Sequence, residues 1–356
     1  MGDSPRPLAG DIVTSSSDSS SGPREASRPP TQRDVAEEAG LSTAAVSYAL
    51  RGIRVPQETQ DRVREIADRI GYRANPIARA LASGRTDVVG ILCGALTDSW
   101  QQRIVAELVA VLPSRGLSAH ILDAASDPQL QLELADDMVG RQADVLVVMP
   151  LDPSAQEWAQ IARSVPVVAV GDGLPAAESV CEIVYDNATG VSDGLRRLID
   201  AGHRTIGVLA PGRPSTPDRP AADVVRKLAT SLDVTITLHT ARHDLESAST
   251  VVQGVLGGWD PPTAFFCLSD SMAWGVYGAA AELGLVIPDD LSVVGYDNTP
   301  VSRLLSPPLT TYRWPIDELV EAIVAGLEAA VGGLPRARTV IYATPVLRES
   351  IASPKS

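Results

Sequence analysis

Apolar positions follow two different spacings along the chain, and the change between them falls near residue 86. Before that point, apolar residues recur at helical spacing, as in Val35, Ala36 and Ala39. After it, short runs rich in β-branched residues, such as VVGILC and ADVLVVMP, alternate with helical segments such as QQRIVAELVAVL. The pattern predicts a small all-α head followed by a larger α/β core.

The head carries the signals of three short helices. The first ends at Gly40, where the turn needs a backbone conformation that a side chain obstructs. Ser42 is a favourable N-cap for a second helix that begins at Thr43, and a third helix is predicted between Pro56 and Gly71. Two short helices joined by a glycine-containing turn predict a helix-turn-helix, whose second helix enters the DNA major groove. A small helical bundle without nucleic acid has the same local pattern.

The core repeats the alternation of strand and helix patterns twice. The first set of predicted strands is VVGILC, SAHILDA, ADVLVVMP and VPVVAVG. The second set begins near Ile183 with EIVYDN and continues with HRTIGVLAP, VTITLHT, TAFFCLSD and LSVVGYDN. Strands that alternate with helices predict parallel sheets covered on both faces. We therefore predict two doubly wound, Rossmann-like lobes with a ligand site at the carboxyl ends of their strands.

Net charge is distributed unevenly along the chain. The 356 residues carry −14 at pH 7, which by itself disfavours a partner as negative as DNA. Residues 31–85, however, hold nine Arg and seven acidic residues, for a net charge of +2. Residues 1–30 carry −1, which leaves −15 for residues 86–356. The acidic excess therefore lies on the core, and the head is mildly basic, as phosphate contacts require.

Three further features narrow the class of protein and its compartment. Residues 1–30 are rich in Ser and Pro and lack apolar periodicity, which predicts a disordered tail. No apolar run approaches the roughly 20 residues that span a bilayer, and the N-terminus lacks a signal-peptide core. The three cysteines are far apart and include no C-x-x-C pair, which disfavours disulfides and zinc. We expect a cytoplasmic protein with no cofactor, no metal and no membrane contact.

The order of motifs resembles that of the LacI/GalR family of transcriptional regulators. The resemblance lies in AGLSTAAVS within the head, in GYRANPIARAL after the third predicted helix, and in the strand VVGIL behind it. It extends from about residue 30 to the end of the chain. It implies a core of the periplasmic-binding-protein type, in which two lobes close on an effector by hinging.

The resemblance also implies a division into domains. A disordered tail at 1–30 would precede a helix-turn-helix domain at 31–74, a hinge helix and linker at 75–85, and an effector-binding and dimerisation core at 86–356. Within the core, lobe one is expected at about 86–175 and 313–335, and lobe two at about 183–310 and 338–350.

Candidate DNA contacts follow from the resemblance. Three positions on the second helix match those that read bases in the family: Thr43, Ala44 and Tyr48. A tyrosine cannot make the bidentate guanine contact of the arginine found there in many relatives. The neutral phosphate contacts would be Thr31, Ser42, Ser47 and Asn75, although Ser47 also suits helix packing. Leu81 matches a leucine that relatives insert into a central minor-groove step of DNA.

Candidate effector contacts follow in the same way: Trp100, Asp152, Arg219, Ser269 and Asp297. Asp297 matches an acidic residue that accepts hydrogen bonds from ligand hydroxyls. Trp100 stands where relatives place an aromatic ring that stacks on the ligand, although it also suits packing within its lobe.

Three core positions depart from the family. Ala221 stands where relatives have an arginine that clamps the effector, and Arg219 is either its substitute or a solvated loop residue. Ser269 replaces an asparagine, and Leu245 replaces an aromatic residue. Loss of a bidentate arginine removes charged hydrogen bonds, so the effector is not expected to be of the commonest kind.

We therefore predict a repressor that binds a near-palindromic operator as a homodimer and responds to a small molecule, a sugar, in the cleft. The departures leave open a family member that has lost its response to small molecules. A sugar-binding transport protein shares the core fold, but the head and the missing signal peptide disfavour it. An enzyme is not expected, because no P-loop, nucleophile elbow or metal-ligand cluster is present.

Overall fold

The computed structural model describes residues 28–73, 80–81, 84–211, 218–231, 234–333 and 335–355, and for 218–222 and 230–231 only the backbone. The chain forms two compact units, a head that ends at Arg79 and a core that begins at Ala80. Nearly all of the predicted tail lies outside the described residues.

Within residues 28–73 the head forms three helices: α1 (Gln32–Ala39), α2 (Thr43–Leu50) and α3 (Gln57–Ile70). Val35, Val46 and Val63, one from each helix, are fully buried and form the centre of its core. Gly40 ends α1 in the left-handed conformation with φ at 66°, and the Ser42 hydroxyl accepts the Ala45 N–H to cap α2. The helix-turn-helix expected from the sequence is present.

In the described part of the core, the strands form two parallel sheets and one short antiparallel pair. In chain order they are β1 (Val88–Cys93), β2 (Ser118–Asp123), β3 (Val145–Val148), β4 (Val167–Gly171), β5 (Cys181–Asp186), β6 (Thr205–Pro211), β7 (Thr235–Ala241), β8 (Ala264–Cys267), β9 (Ser292–Val294), β10 (Thr311–Arg313), β11 (Ala337–Tyr342) and β12 (Thr344–Val346). The first sheet has the order β11-β5-β4-β3-β1-β2, and the second has the order β7-β6-β8-β9. Strands β10 and β12 pair antiparallel.

Helices cover both sheets. They are α4 (Ser99–Val111), α5 (Pro128–Gly140), α6 (Glu157–Ser164), α7 (Asn187–Asp200), α8 (Asp218–Ser231), α9 (Leu245–Leu256), α10 (Asp270–Leu283) and α11 (Ile316–Gly332). Most follow a parallel strand, as doubly wound lobes require. Helix α11 packs on the first sheet, where Gly326 lies so close to Cys181 that an added Cβ would be 2.8 Å from the Cys181 Cβ.

The structure corrects the predicted lobe boundaries at two places. Strand β5, which we assigned to lobe two, pairs with β4 in the first sheet, where Ile183 lies opposite Val170. Strand β11, also assigned to lobe two, pairs with β5 on its other side. The chain therefore crosses between lobes after Asp186, near Trp314 and near Ala343. An alternating apolar pattern identifies a strand but does not specify which of two sheets it joins.

The C-terminal segment returns to the second lobe after β12. The Ser350 hydroxyl donates to the Val293 carbonyl at 2.6 Å and accepts the Thr310 N–H at 2.8 Å. The Ala352 carbonyl lies 3.0 Å from Nε2 of the buried His203, whose Nδ1 lies 2.8 Å from the Thr263 hydroxyl. Burial lowers the pKa of His203, which favours a neutral ring. His203 therefore ties the C-terminus to the lobe.

We predict that Gly275→Ala destabilises the core by about 1–3 kcal/mol, because overpacking forces the neighbouring backbone to move. Gly275 on α10 faces α9, and an added Cβ would lie 2.6 Å from the Leu245 carbonyl oxygen and 2.7 Å from the Ser249 nitrogen. Urea unfolding measures the change. The control is Gly254→Ala on α9, where a Cβ meets nothing within 4 Å and a better helix former is neutral or stabilising. Equal stability of the two variants would contradict this close helix packing.

Candidate nucleic-acid interface and ligand cleft

Helix α2 presents the predicted base-reading residues to solvent. Thr43 and Ala44 are exposed, Tyr48 is half-buried, and Val46 and Ala49 on the opposite face are buried in the head. The Gln32 side chain donates to the Thr43 carbonyl at 2.9 Å and so fixes α1 against the start of α2. The exposed face of α2 is therefore short and uncharged, and a hydrogen bond from α1 fixes its first residue.

The hydroxyl groups predicted to contact phosphate differ in whether their hydrogen is already used in a hydrogen bond within the head. The Ser42 oxygen accepts the Ala45 N–H at 3.1 Å, which leaves its hydroxyl hydrogen able to donate to a phosphate. The Thr31 hydroxyl instead donates to Asp34 at 2.8 Å, and the Thr31 N–H donates to the same carboxylate. Both hydrogen bonds lower the pKa of Asp34 below its ordinary value, and the bond from the Thr31 N–H has the larger effect. Ser47 is half-buried.

Leu81 is strongly exposed for a leucine, with 82% of its surface accessible. Ala80 and Leu81 are helical, and Gly84, with φ at 68°, donates its N–H to the Ala80 carbonyl at 2.8 Å. A left-handed glycine with such a bond is typical of a helix end. Asn75 and the rest of the predicted hinge helix before Ala80 lie outside the described residues.

A cavity of about 710 Å³ lies between the two lobes of the core. From the first lobe it is lined by Ala95, Thr97, Asp98, Gln101, Ser126 and Leu151. From the second lobe it is lined by Pro211, Thr240, Ala241, Arg242, His243, Asp244 and Ser247. These residues lie at or beyond the carboxyl ends of β1, β2, β3, β6 and β7, where doubly wound sheets bind ligands.

Carboxylates from both lobes reach the cavity. Asp98 caps α4 by accepting the Trp100 N–H at 2.9 Å, and Asp244 caps α9 by accepting the Ser247 N–H at 2.7 Å. Arg242 donates to Asp244 at 2.8 Å. Partial burial raises the pKa of Asp244, but these two hydrogen bonds outweigh it, so the pKa lies below its ordinary value. The carboxylate is therefore ionised and ordered near neutral pH.

Four of the predicted effector residues do not line this cavity: Trp100, Asp152, Ser269 and Asp297. Asp152 follows the lining residue Leu151 and accepts the Ser154 N–H and hydroxyl. Ser269 is buried and caps α10. Asp297 is buried in a left-handed conformation with φ at 99°. Arg219 lies on α8, and its side chain is outside the described set.

Trp100 belongs to an aromatic cluster that spans the two lobes. Its ring centroid lies 6.3 Å from Trp314 and 6.4 Å from Tyr185. Trp314 continues the contact to Tyr296 of the second lobe at 5.5 Å, and Tyr296 stacks on Tyr312 at 5.1 Å. The chain has five Trp, seven Tyr and two Phe residues, and six of these fourteen, Phe266 included, meet here. Trp100, only 5% exposed, thus packs within the core.

Asp270 organises the segment that carries Asp297. It is fully buried, and its carboxylate accepts hydrogen bonds from the Thr299 N–H and hydroxyl, from the Ser302 hydroxyl and from the Thr311 hydroxyl. All four donors are neutral. Burial therefore dominates and raises the pKa of Asp270 to about 6, although the hydrogen bonds act in the opposite direction.

Sequence reasoning missed the side chains that line the cavity, above all Arg242, His243 and Asp244. A signal for them was present, because ARHD directly follows the predicted strand VTITLHT. Polar residues just after a parallel strand lie at the edge where ligands bind.

Comparison with known proteins agrees with this architecture. Residues 31–75 match the model of bacterial regulatory proteins of the lacI family, and residues 195–351 match the periplasmic binding protein-like domain. The ribose operon repressor of Haemophilus influenzae is 30% identical over 331 residues, covering 91% of this chain and 99% of that protein. The HTH-type transcriptional repressor CytR of Escherichia coli is 30% identical over 301 residues, covering 81% and 86%.

Solved structures show the same fold. A crystal structure of the lac repressor dimer bound to operator and the anti-inducer ONPF superimposes with a TM-score of 0.82 at 23% identity, covering 91% of this chain and all of that one. A LacI family regulator of Enterococcus faecium with bound ribose gives 0.67 at 19% identity, covering 75% and 100%.

The fold defines a class of protein that joins a helix-turn-helix head to a two-lobed core of the periplasmic-binding-protein type. Within that class, a relative that is 30% identical over nearly its full length shows that the chain belongs to the LacI family of bacterial regulatory proteins. The predicted fold class and the prediction of a transcriptional regulator are confirmed. The named relatives are regulators of transcription and not enzymes.

No helix in the described part of the chain is long and apolar enough to cross a membrane. Within the same residues, no group of three or more His, Cys, Asp or Glu side chains is arranged to hold a metal ion.

We predict that the Asp270 carboxyl titrates near pH 6 in the folded protein. Its pKa is raised above the ordinary value of 3.8, so its contribution to stability is fully present below pH 3.8 and is lost as the pH rises through 6. The loss is roughly 3 kcal/mol. Carbon-13 NMR of labelled aspartate measures the pKa. One carboxyl resonance should titrate near pH 6, and that resonance should be missing in Asp270→Asn. A carboxyl that titrates below pH 4 would contradict this account.

Proposed function

We propose that this chain is a transcriptional repressor that binds a near-palindromic operator as a homodimer and is controlled by a small molecule in the cleft between its lobes. The observation that carries the proposal is the combination of an exposed recognition helix on a separately folded head with an interlobe cavity of about 710 Å³. The protein acts in the cytoplasm, where its operator DNA lies, and has no catalytic activity.

The DNA interface is formed by α2 and Leu81. Thr43 and Ala44 contact base edges through a methyl, a hydroxyl and a small apolar surface, and Ser42 contacts a phosphate. Leu81 wedges into the minor groove at the centre of the operator. The high exposure of Leu81 supports this role, because an unpacked leucine fits insertion between base steps. Dimerisation places two heads on two half-sites, in the manner of the related lac repressor dimer.

The effector is a polyhydroxylated molecule, a sugar or a nucleoside. The cavity offers the carboxylates Asp98 and Asp244 together with hydroxyl groups of Thr97, Thr240 and Ser247. Carboxylates accept hydrogen bonds from ligand hydroxyls strongly and directionally. A ligand that contacts both lobes favours the closed arrangement and thereby changes operator affinity. Ribose bound to the Enterococcus faecium relative supports this class of ligand.

The alternative of a core without small-molecule response rests on the departures from the family at Ala221, Ser269 and Leu245, and the burial of Trp100 is consistent with it. The cavity argues against it, because polar side chains of both lobes still converge there. A transport protein of the same core fold is disfavoured by the intact head, which matches the lacI family model at residues 31–75.

The first test concerns DNA. Full-length protein should select a near-palindrome from a random duplex library, and Leu81→Ala should weaken binding to the selected duplex about tenfold or more, because the wedge contributes only where the DNA is kinked. Fluorescence anisotropy with selected and random duplexes measures both affinities, and the random duplex should change little. Leu347→Ala, which alters a leucine exposed to 60%, is the control. Equal losses on both duplexes would contradict the wedge.

The second test concerns the effector. A thermal-shift screen of the full chain against sugars, polyols and nucleosides should yield a ligand that raises the midpoint, because a ligand that binds the folded state stabilises it. Asp244→Asn keeps a residue suited to helix capping but removes the charge, and should weaken that ligand roughly 10- to 100-fold. Asp136→Asn, exposed on α5, is the control. Unchanged affinity in Asp244→Asn would place the ligand elsewhere, and a blank screen would favour the alternative.

A further inference from the structure

Two arginines converge on the ring of Tyr48 at the end of the recognition helix. The Arg54 guanidinium carbon lies 5.2 Å from the ring centroid, and the Arg51 guanidinium carbon lies 5.4 Å from it. Arg54 also donates from Nη1 to the Tyr48 hydroxyl at 3.3 Å, and Arg51 donates from Nε to the Ser47 carbonyl at 3.2 Å. Tyr48 therefore holds two like charges close together on an exposed surface.

Three other arginines of the head pair with acidic side chains, whereas within the described part of the chain these two do not. Arg33 pairs with Glu37, Arg64 with Asp61, and Arg69 with Glu38. Among the described residues, neither Arg51 nor Arg54 forms an ion pair with a carboxylate, and both are exposed. Ring contacts attract each cation only weakly at such sites, and the two guanidinium groups repel each other. The site therefore suits an electron-rich or anionic partner from outside the chain.

The backbone adds an independent indication at Arg54. The turn between α2 and α3 places Arg54 in the left-handed conformation, with φ at 60°. This conformation is unfavourable for a residue with a Cβ, and such residues occur preferentially at functional sites. With Nη1 donating to Tyr48, the Nε and Nη2 edge of Arg54 keeps two parallel N–H groups, the geometry that matches O6 and N7 of guanine.

We propose that Tyr48 does not read a base itself but is a positioning residue that holds Arg54 for a bidentate contact to one guanine of each half-site, with Arg51 contacting the adjacent phosphate. The proposal rests on the function proposed above. In this arrangement Arg54, on the turn after α2, makes the arginine–guanine contact that Tyr48 cannot make.

The experiment uses the full-length protein and the duplex that it selects from a random library. Each guanine is replaced in turn by 7-deazaguanine, which keeps base pairing and removes the N7 acceptor. With the unaltered protein, one guanine per half-site should show a penalty of roughly 10- to 100-fold in affinity. Arg54→Ala should abolish that penalty, because the group that reads N7 is gone.

The Tyr48 variants test the positioning role. Tyr48→Phe keeps the packed ring and loses the hydroxyl bond to Arg54, and should reduce the penalty several-fold, and Tyr48→Ala should reduce it further. Arg51→Ala should weaken binding to every duplex alike and leave the penalty at the one guanine intact. Arg33→Ala is the control and should also leave that penalty intact. A variant that only loses stability binds all duplexes more weakly by the same factor, so its 7-deazaguanine penalty is unchanged. A variant that loses the positioning of Arg54 has a smaller penalty.

Three outcomes would overturn the proposal. A full penalty in both Tyr48 variants would show that Tyr48 does not position Arg54. A full penalty in Arg54→Ala, or none in the unaltered protein, would show that Arg54 does not read guanine N7. In these cases specific binding remains, and the proposed function stands. Failure to select any duplex would instead remove the proposed function, and this inference with it.

Discussion

The buried carboxylate of Asp270 is the constraint on which the cleft side of the second lobe depends. Its four neutral hydrogen-bond donors come from the loop after β9 and from β10, and its own N–H donates to the Tyr296 carbonyl at 2.6 Å. One side chain thus fixes the loop that holds Asp297 in a left-handed conformation and the strand that leads to the crossing near Trp314. Without an acceptor at this position, several buried donors would be left unsatisfied.

The aromatic cluster and the cavity divide the space between the lobes. Trp100, Tyr185 and Trp314 fill one part of it, and Trp314 contacts Tyr296 of the second lobe. The cavity lies at the ends of β1 and β2 in one lobe and of β6 and β7 in the other. Packed aromatic rings contribute large buried area, so the cluster joins the lobes firmly while the open part of the cleft remains available to a ligand. Trp100, which the resemblance places beside an effector, is packed within this cluster.

The sequence was most informative where local chemistry decides the structure. Gly40 and Ser42 specify the turn and the cap of the helix-turn-helix, and runs such as VVGILC specify buried strands. It was least informative where the outcome depends on distant partners. The pattern of EIVYDN is the same whichever sheet the strand joins, so the assignment of β5 to the second lobe was wrong.

The ligand site shows the same limit. Whether Trp100 faces a ligand depends on Tyr185 and Trp314, which come from distant parts of the chain. Ser269 was expected in the site because of its position, but its hydroxyl caps α10. The roles assigned to all the predicted DNA-binding and effector-binding residues remain predictions, and those of Asn75 and the Arg219 side chain concern groups that lie outside the described residues.

We propose that ligand binding in the cleft and operator binding by the head are coupled in one chain. The most direct test is to measure operator affinity with and without a saturating ligand, and ligand affinity with and without operator, by anisotropy and calorimetry on the full-length protein. Coupling of binding free energies is reciprocal, so the two affinities should change by the same factor, typically about 5- to 150-fold. A ligand that binds the core and leaves operator affinity unchanged would contradict the account.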